Sequence, residues 1–315
     1  MNDSTEMQAV NKYYEYYQTN KQLDSDHINI SNSLHGELSS IVQNFSKINI
    51  KEIESTIQYI HENIFEEDLN IVMDEVVELI FMELNKGNGE KAIKRYVLDY
   101  FNKHKLNSRE IYSWLLNNQN SSNSFYLLGY FYYNGIEINL NKQKAFVLYQ
   151  KAVFENKVAQ YDLANMYMDR DGGVDINYNK AFELSKQLAK EGYSSGTHLL
   201  GYCYEHGIGT VINYKKAFEF YQKAAILENS YGLNNLGWCY ENGLGTEINN
   251  KKAFELYQKA ADLGNGLAQY NLAFMYEKGE GTEKDTSKAI YWYKKAVEQG
   301  CQDAQLELDA LEELL

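Results

Sequence analysis

The helix opening at Ala145-Phe146 is answered at Ala181-Phe182, Ala217-Phe218, Ala253-Phe254 and Ala289-Ile290, each 36 residues after the last. Segments such as EHGIGTVINYKKAFEFYQKAAI (205–226) and ENGLGTEINNKKAFELYQKAAD (241–262) repeat nearly letter for letter. A fixed period of this size means stacked supersecondary units, each burying its apolar face only against its neighbours. A single closed core is thereby excluded for this stretch.

Within a unit two helices are expected. In the first, a small residue (Gly129, Ala164, Gly201, Gly237, Ala273) lets helices approach closely, and a tyrosine three positions on (132, 167, 204, 240, 276) fills the space beside it. Gly207, Gly243 and Gly279 stand where a left-handed cap ends that helix. Asn141, Asn177, Asn213, Asn249 and Asp285, four residues before each alanine, are expected to cap the second helix. The second unit departs at MDRDGGVD (168–175), where one residue enters the loop and one is lost from the linker before it.

These residues resemble the Sel-1-like repeat, a relative of the tetratricopeptide repeat with the pattern LGxxYxxGxG followed by KAxxxYxxAA. LGWCYENGLGT (236–246) and KKAFELYQKAA (251–261) carry the match. The resemblance implies an all-α fold, an α/α right-handed superhelical solenoid of about five helix-turn-helix repeats. The boundaries expected are 124–159, 160–195, 196–231, 232–267 and 268–303, with 304–315 as a capping helix. Residues 47–118 form an acidic helical region with Ile50, Ile53, Ile57 and Ile60 in helical spacing, a break at Gly87-Asn88-Gly89, and a last helix capped by Ser108 that carries Ile111, Trp114 and Leu115. Residues 1–46, polar and containing the cluster Tyr13, Tyr14, Glu15, Tyr16, Tyr17, are expected to be mostly disordered. The 47–118 region is similar to segments that precede such repeats in expanded fungal families, some of which carry a protein-kinase domain.

Composition narrows the function classes. Residues 1–85 hold 16 Asp or Glu against 4 Lys, while the remainder is nearly neutral. Without clustered Lys and Arg a phosphate backbone finds no footprint, so nucleic acid is not an expected partner. No apolar run approaches the roughly 20 residues of a membrane helix and no secretory start is evident, so a cytoplasmic location without membrane insertion is expected. Cys203 and Cys239 occupy equivalent repeat positions and read as packing residues; with Cys301 they are too few for a disulfide framework. The GxGT triplets at 207, 243 and 279 follow a helix and recur once per unit, which turn geometry explains better than a phosphate loop. No kinase, hydrolase or zinc-protease motif occurs, and neither an enzyme nor a cofactor is expected.

The remaining candidate is a surface. In tetratricopeptide-like stacks the first helix lines the concave side, so the resemblance implies that a partner protein or peptide lies along it. The stripe comprises Tyr130, Asn165, Tyr202, His206, Asn235, Trp238, Asn242, Asn271, Phe274 and Lys278. Its aromatics are either binding anchors or packing against the adjacent repeat. A protein-interaction adaptor is the expected function. The resemblance also implies two narrower alternatives, a regulator in a kinase pathway and a subunit of an endoplasmic-reticulum degradation complex.

Overall fold

A computed structural model describes residues 69–169 and 174–313. The expectations for residues 1–46, for Ile50 to Ile60 and for the loop at 170–173 lie outside the described residues. The chain divides into two compact units, 1–72 and 73–315. Of the first, residues 69–72 are described and helical.

Among the described residues there are fourteen helices and no strand. Helix α1 (69–85) belongs to the second unit from Met73 onward, and α2 (Glu90–Lys103) and α3 (Ser108–Asn117) follow it. Five helix pairs come next: α4 (Ser122–Asn134) with α5 (Lys142–Ala152), α6 (Lys157–Met168) with α7 (Tyr178–Lys190), and α8 (Ser194–His206) with α9 (Tyr214–Ile226). The series closes with α10 (Ser230–Asn242) and α11 (Asn250–Asp262), α12 (Gly266–Lys278) and α13 (Thr286–Glu298), and the final helix α14 (Gln302–Glu312), which buries Ala304 and Leu308. The second unit is an α-solenoid.

Each second helix is capped as its sequence predicts. Asn213 Oδ1 and Asn249 Oδ1 accept from the backbone N–H three residues on, both at 3.0 Å, and Asp285 Oδ1 accepts from Lys288 N at 3.0 Å. Each such cap stabilises its helix by about 1 kcal/mol. The cap expected at Ser108 is shifted by one residue. Asn107 Oδ1 accepts from Arg109 N at 3.0 Å, while the Ser108 hydroxyl donates to Glu137 Oε1 at 2.6 Å. Both residues have short polar side chains, so composition alone does not separate the positions.

Where the small residue of a first helix is glycine (Gly129, Gly201, Gly237), it faces the second helix of its own unit. A Cβ added to Gly201 or Gly237 would lie 2.8 Å from the ring of Tyr221 or Tyr257, so the tyrosine occupies the volume that glycine vacates. These tyrosines are fully buried, and each hydroxyl reaches a carboxylate on the first helix. Tyr257 Oη donates to Glu241 Oε2 at 2.6 Å and Tyr293 Oη to Glu277 Oε2 at 2.9 Å, with Tyr221 and Glu205 paired in the same way.

Adjacent units are joined by a recurring junction. Phe146, Phe182, Phe218 and Phe254 each set an edge against Tyr167, Tyr204, Tyr240 and Tyr276 of the next unit, with centroids 5.2–5.5 Å apart and rings 85–89° to one another. An edge-to-face pair adds about 0.5–1.5 kcal/mol beyond area burial. A lysine from the tyrosine's own unit lies over each ring, as Lys216 does over Tyr204 at 4.8 Å and Lys252 over Tyr240 at 5.0 Å. The tyrosine expected to fill space is thus a hub of two contacts, the phenylalanine of the earlier unit and the lysine of its own. Cys203 and Cys239 are buried free thiols whose pKa values burial pushes up to about 11 and about 12, which disfavours the reactive thiolate.

Candidate functional site

First helices of neighbouring units bridge to one another through side chains. Asn271 Nδ2 donates to Asn234 Oδ1 at 3.1 Å, Asn235 Nδ2 lies 3.3 Å from His198 Nε2, and the His198 ring stacks on Tyr231 with centroids 5.5 Å apart. Burial pushes the His198 pKa down to about 4, so this histidine is a neutral packing group. Together these bridges link α8, α10 and α12 side by side along one face.

The α1–α2 hairpin lies on this face. Phe81 sets its edge against Tyr193 at 4.9 Å, and the turn that follows meets the N-terminal ends of α8 and α10. Asn85 Oδ1 accepts from Ser195 N at 3.3 Å and from the hydroxyls of Ser194 and Ser195, both at 3.2 Å. Asn229 Nδ2 donates to Asn85 O at 3.1 Å, Ser230 N to Lys86 O at 2.9 Å and Ser230 Oγ to Gly87 O at 2.7 Å. Further along, Lys94 Nζ donates to Asn134 O at 2.6 Å and Tyr133 Oη to Glu90 Oε1 at 3.0 Å.

The hairpin also closes a cavity of about 30 Å³ lined by Ile80, Leu84, Glu90, Ile93, Tyr130 and Asp162, among others. Tyr126 Oη donates to Asp162 Oδ2 at 3.0 Å, yet enclosure outweighs this bond and pushes the Asp162 carboxyl up to about 7. The carboxylate of Glu90 adds to the rise. The site has a local cause in the repeat. Tyr133 stands where Glu205 and Glu241 stand in later units, so the buried Tyr149 hydroxyl lacks the carboxylate partner that Tyr221 and Tyr257 have.

The expected stripe is divided by this arrangement. Tyr130 is 6 % exposed and sits beneath the hairpin, whereas its register mates Tyr202 and Trp238 are 37 % and 43 % exposed. Asn165 donates to the backbone of Tyr161 at 3.1 Å, and Asn235 and Asn271 form the bridges between first helices. His206 stacks on Tyr202 with centroids 4.1 Å apart, Asn242 Nδ2 donates to Trp238 O at 3.0 Å, and Lys278 Nζ lies 5.3 Å from the centre of the half-buried Phe274 ring. In units three to five an aromatic is therefore paired with a polar residue four positions on. The hairpin residues Asn85 to Gly89, and their receivers Ser194 and Ser230, are absent from the sequence-based stripe. Their signal is faint: polar residues at helix starts that the structure buries.

The repeat phrases, the caps and the paired helices are features of one known family. The model of the Sel1 repeat matches residues 126–153, 157–193, 194–229, 230–265 and 266–301, and the chain belongs to the Sel1 repeat family. Among solved structures, it is similar to a Sel1 repeat protein from Oxalobacter formigenes at 28% identity and a TM-score of 0.56, over 70% of this chain and 87% of that one. It is also similar to c5321, a protective antigen of uropathogenic Escherichia coli with an SLR fold, at 28% identity and a TM-score of 0.53. That alignment covers 74% of this chain but spans only 50% of the Escherichia coli protein. The comparison with curated proteins finds no match. The Sel1 repeat is a protein-interaction fold, generally non-catalytic. No helix among the described residues is long and apolar enough to cross a membrane.

Proposed function

We propose that the chain is a non-enzymatic adaptor that holds a partner polypeptide along the first-helix face of units three to five. The observation that carries this reading is the exposure of Tyr202 and Trp238 at one register position of successive units, where Tyr130 is covered. Exposed aromatics on a preformed face are strong anchors, because they bury much area while losing few rotamers. Phe274 extends the row, and His206, Asn242 and Lys278 supply a polar edge beside it. The affected backbone is already paired within helices, so the face needs no ordering to bind.

Affinity capture with mass spectrometry, comparing the wild-type chain with the Tyr202→Ala, Trp238→Ala variant at matched melting temperature, tests the reading. Partners lost from the folded variant support it; partners retained in full move the binding surface elsewhere. A kinase-pathway protein among those lost would assign the chain to signalling. Components of a membrane-bound degradation complex would assign it to protein quality control.

A further inference from the structure

Two carboxylates and several tyrosine hydroxyls meet where α2, α4 and α6 converge. Asp162 on α6 and Glu90 at the start of α2 line one cavity of about 30 Å³, with Tyr126, Tyr130, Tyr133 and Asn134 of α4 around them. Each carboxylate accepts one hydrogen bond from a tyrosine, Asp162 from Tyr126 and Glu90 from Tyr133, both at 3.0 Å. Among the described residues neither is paired with a lysine or arginine, and Lys94, one turn along α2 from Glu90, directs its ammonium to Asn134 O instead. The arrangement occurs at one place in the array. The register position of Asp162 holds Leu127, Leu199, Asn235 and Asn271 in the other units.

A second observation points to a ligand. Tyr130, 6 % exposed, lines the cavity, and its hydroxyl is buried without a hydrogen bond among the described residues. Burial, with the carboxylates of Asp162 and Glu90 adding to it, holds that hydroxyl well above its usual pKa, so it stands near both acids as a neutral oxygen. Two like charges in an enclosed site repel, and a buried hydroxyl without a partner adds to the cost. A cation relieves both. Neither histidine nor thiol lines the cavity, which selects a hard ion over zinc or copper. The volume has room for one small ion, and the exposed Glu90 gives it a path from solvent. Ca²⁺ accepts irregular sets of about six to eight oxygens, waters among them, whereas Mg²⁺ demands a near-ideal octahedron and sheds its own waters reluctantly.

We propose that Asp162 and Glu90, together with Tyr130, form a site for a hard divalent cation of the size of Ca²⁺, which ties α2 to the first helices of units one and two. The site is independent of the adaptor reading and stands or falls without it. An ion bound there joins three helices through charge at a point where they otherwise hold two acids apart, so it stabilises the folded chain in proportion to its occupancy.

The test uses the full chain, treated with chelator and held at pH 8, with CaCl₂, MgCl₂ and NaCl as probes at matched ionic strength. Calorimetric titration should show Ca²⁺ binding, and the melting temperature should rise with Ca²⁺ more than with Mg²⁺ or Na⁺. Asp162→Asn, which keeps the shape of the side chain, and Glu90→Gln should each weaken Ca²⁺ binding about tenfold or more, since each removes a charged ligand. Asp303→Asn, on the last helix, should leave it unchanged. Glu90→Gln, at an exposed position, keeps the test decisive should Asp162→Asn fail to fold. No calcium-dependent shift in the wild-type chain would overturn the proposal and leave a polar cavity that holds water. So would an equal shift in the Asp162→Asn and Glu90→Gln chains, which would place the ion elsewhere on an acidic protein, or an equal response to Na⁺, which would reduce the effect to screening of like charges.

Discussion

Tyr257 donates its hydroxyl to Glu241 Oε2 at 2.6 Å, so the most deeply buried aromatic of its unit carries a polar tip that is satisfied within that unit. Burial raises the Glu241 pKa, and the bond from Tyr257 opposes the rise. Tyr257→Phe removes that opposition and leaves a half-buried carboxylate without its donor. A loss of about 1–3 kcal/mol is expected at pH 7. At pH 4 the loss should be smaller, because a protonated Glu241 no longer incurs the cost of a buried charge. Urea denaturation at the two pH values measures both, and equal losses would count against this assignment.

Asp162 gives the chain a pH dependence of definite sign. Its folded pKa, raised to about 7 by enclosure, lies above the unfolded value, so the folded state binds the extra proton. Stability from this residue is full below the unfolded carboxyl pKa and is lost as pH rises toward 7. Asp162→Asn, which keeps shape and removes the charge, should flatten that slope and melt above wild type at pH 8. A wild-type melting temperature that does not fall between pH 5 and pH 8 would rule out the buried charge as a determinant.

Phe254→Ala should cut the solenoid at one place. The substitution removes an edge contact with Tyr276 and part of a half-buried side chain, for about 2–4 kcal/mol in all. Because units touch only their neighbours, the damage should be local. Hydrogen exchange should quicken in α12 to α14 while α4 to α7 keep their protection. Uniform loosening of all five units would show that the array unfolds as one.

Two glycines separate backbone strain from contact. Gly264 (φ +87°) has open space where a Cβ would go, whereas at Gly245 (φ +73°) that Cβ would lie 2.3 Å from the carbonyl oxygen of Tyr214 in the preceding unit. Alanine at 264 should cost about 1–2 kcal/mol, the left-handed penalty alone. Alanine at 245 should cost clearly more, since the clash is with backbone and cannot be relieved by a rotamer. Comparison of the two melting temperatures is sufficient, and a larger loss at 264 would contradict the geometry.

The repeats could be read from residues because their determinants are local. Asn249 caps a helix whose first turn is three residues away, and Gly237 makes room for Tyr257 only twenty positions on. The register of Tyr130, Tyr202, Trp238 and Phe274 on one face follows from the same short-range regularity. What covers that face does not. Tyr130 and Trp238 share a register position, and only the return of residues 73–103 makes one buried and the other open. Asn85 meets Ser195 across 110 residues, and nothing in the Asn-Lys-Gly-Asn-Gly turn distinguishes a loop in solvent from one that caps distant helices. The Ser108 cap missed by one position for a related reason, since Asn107 is an equally good acceptor.

The Phe–Tyr–Lys junction is identical in kind at four boundaries, with the phenylalanine always supplied by the earlier unit and the tyrosine and lysine by the later one. Such joints are interchangeable. Excision of the 36 residues from Ala217 to Lys252 would join Lys216 to Ala253, remove the Phe218–Tyr240 joint whole, and leave Phe182 facing Tyr204 and Phe254 facing Tyr276. The array is in this sense modular masonry: its length can be shortened or extended by whole courses, while the Asn85–Gly89 keystone, bound to two particular courses, fixes where along the wall it sits.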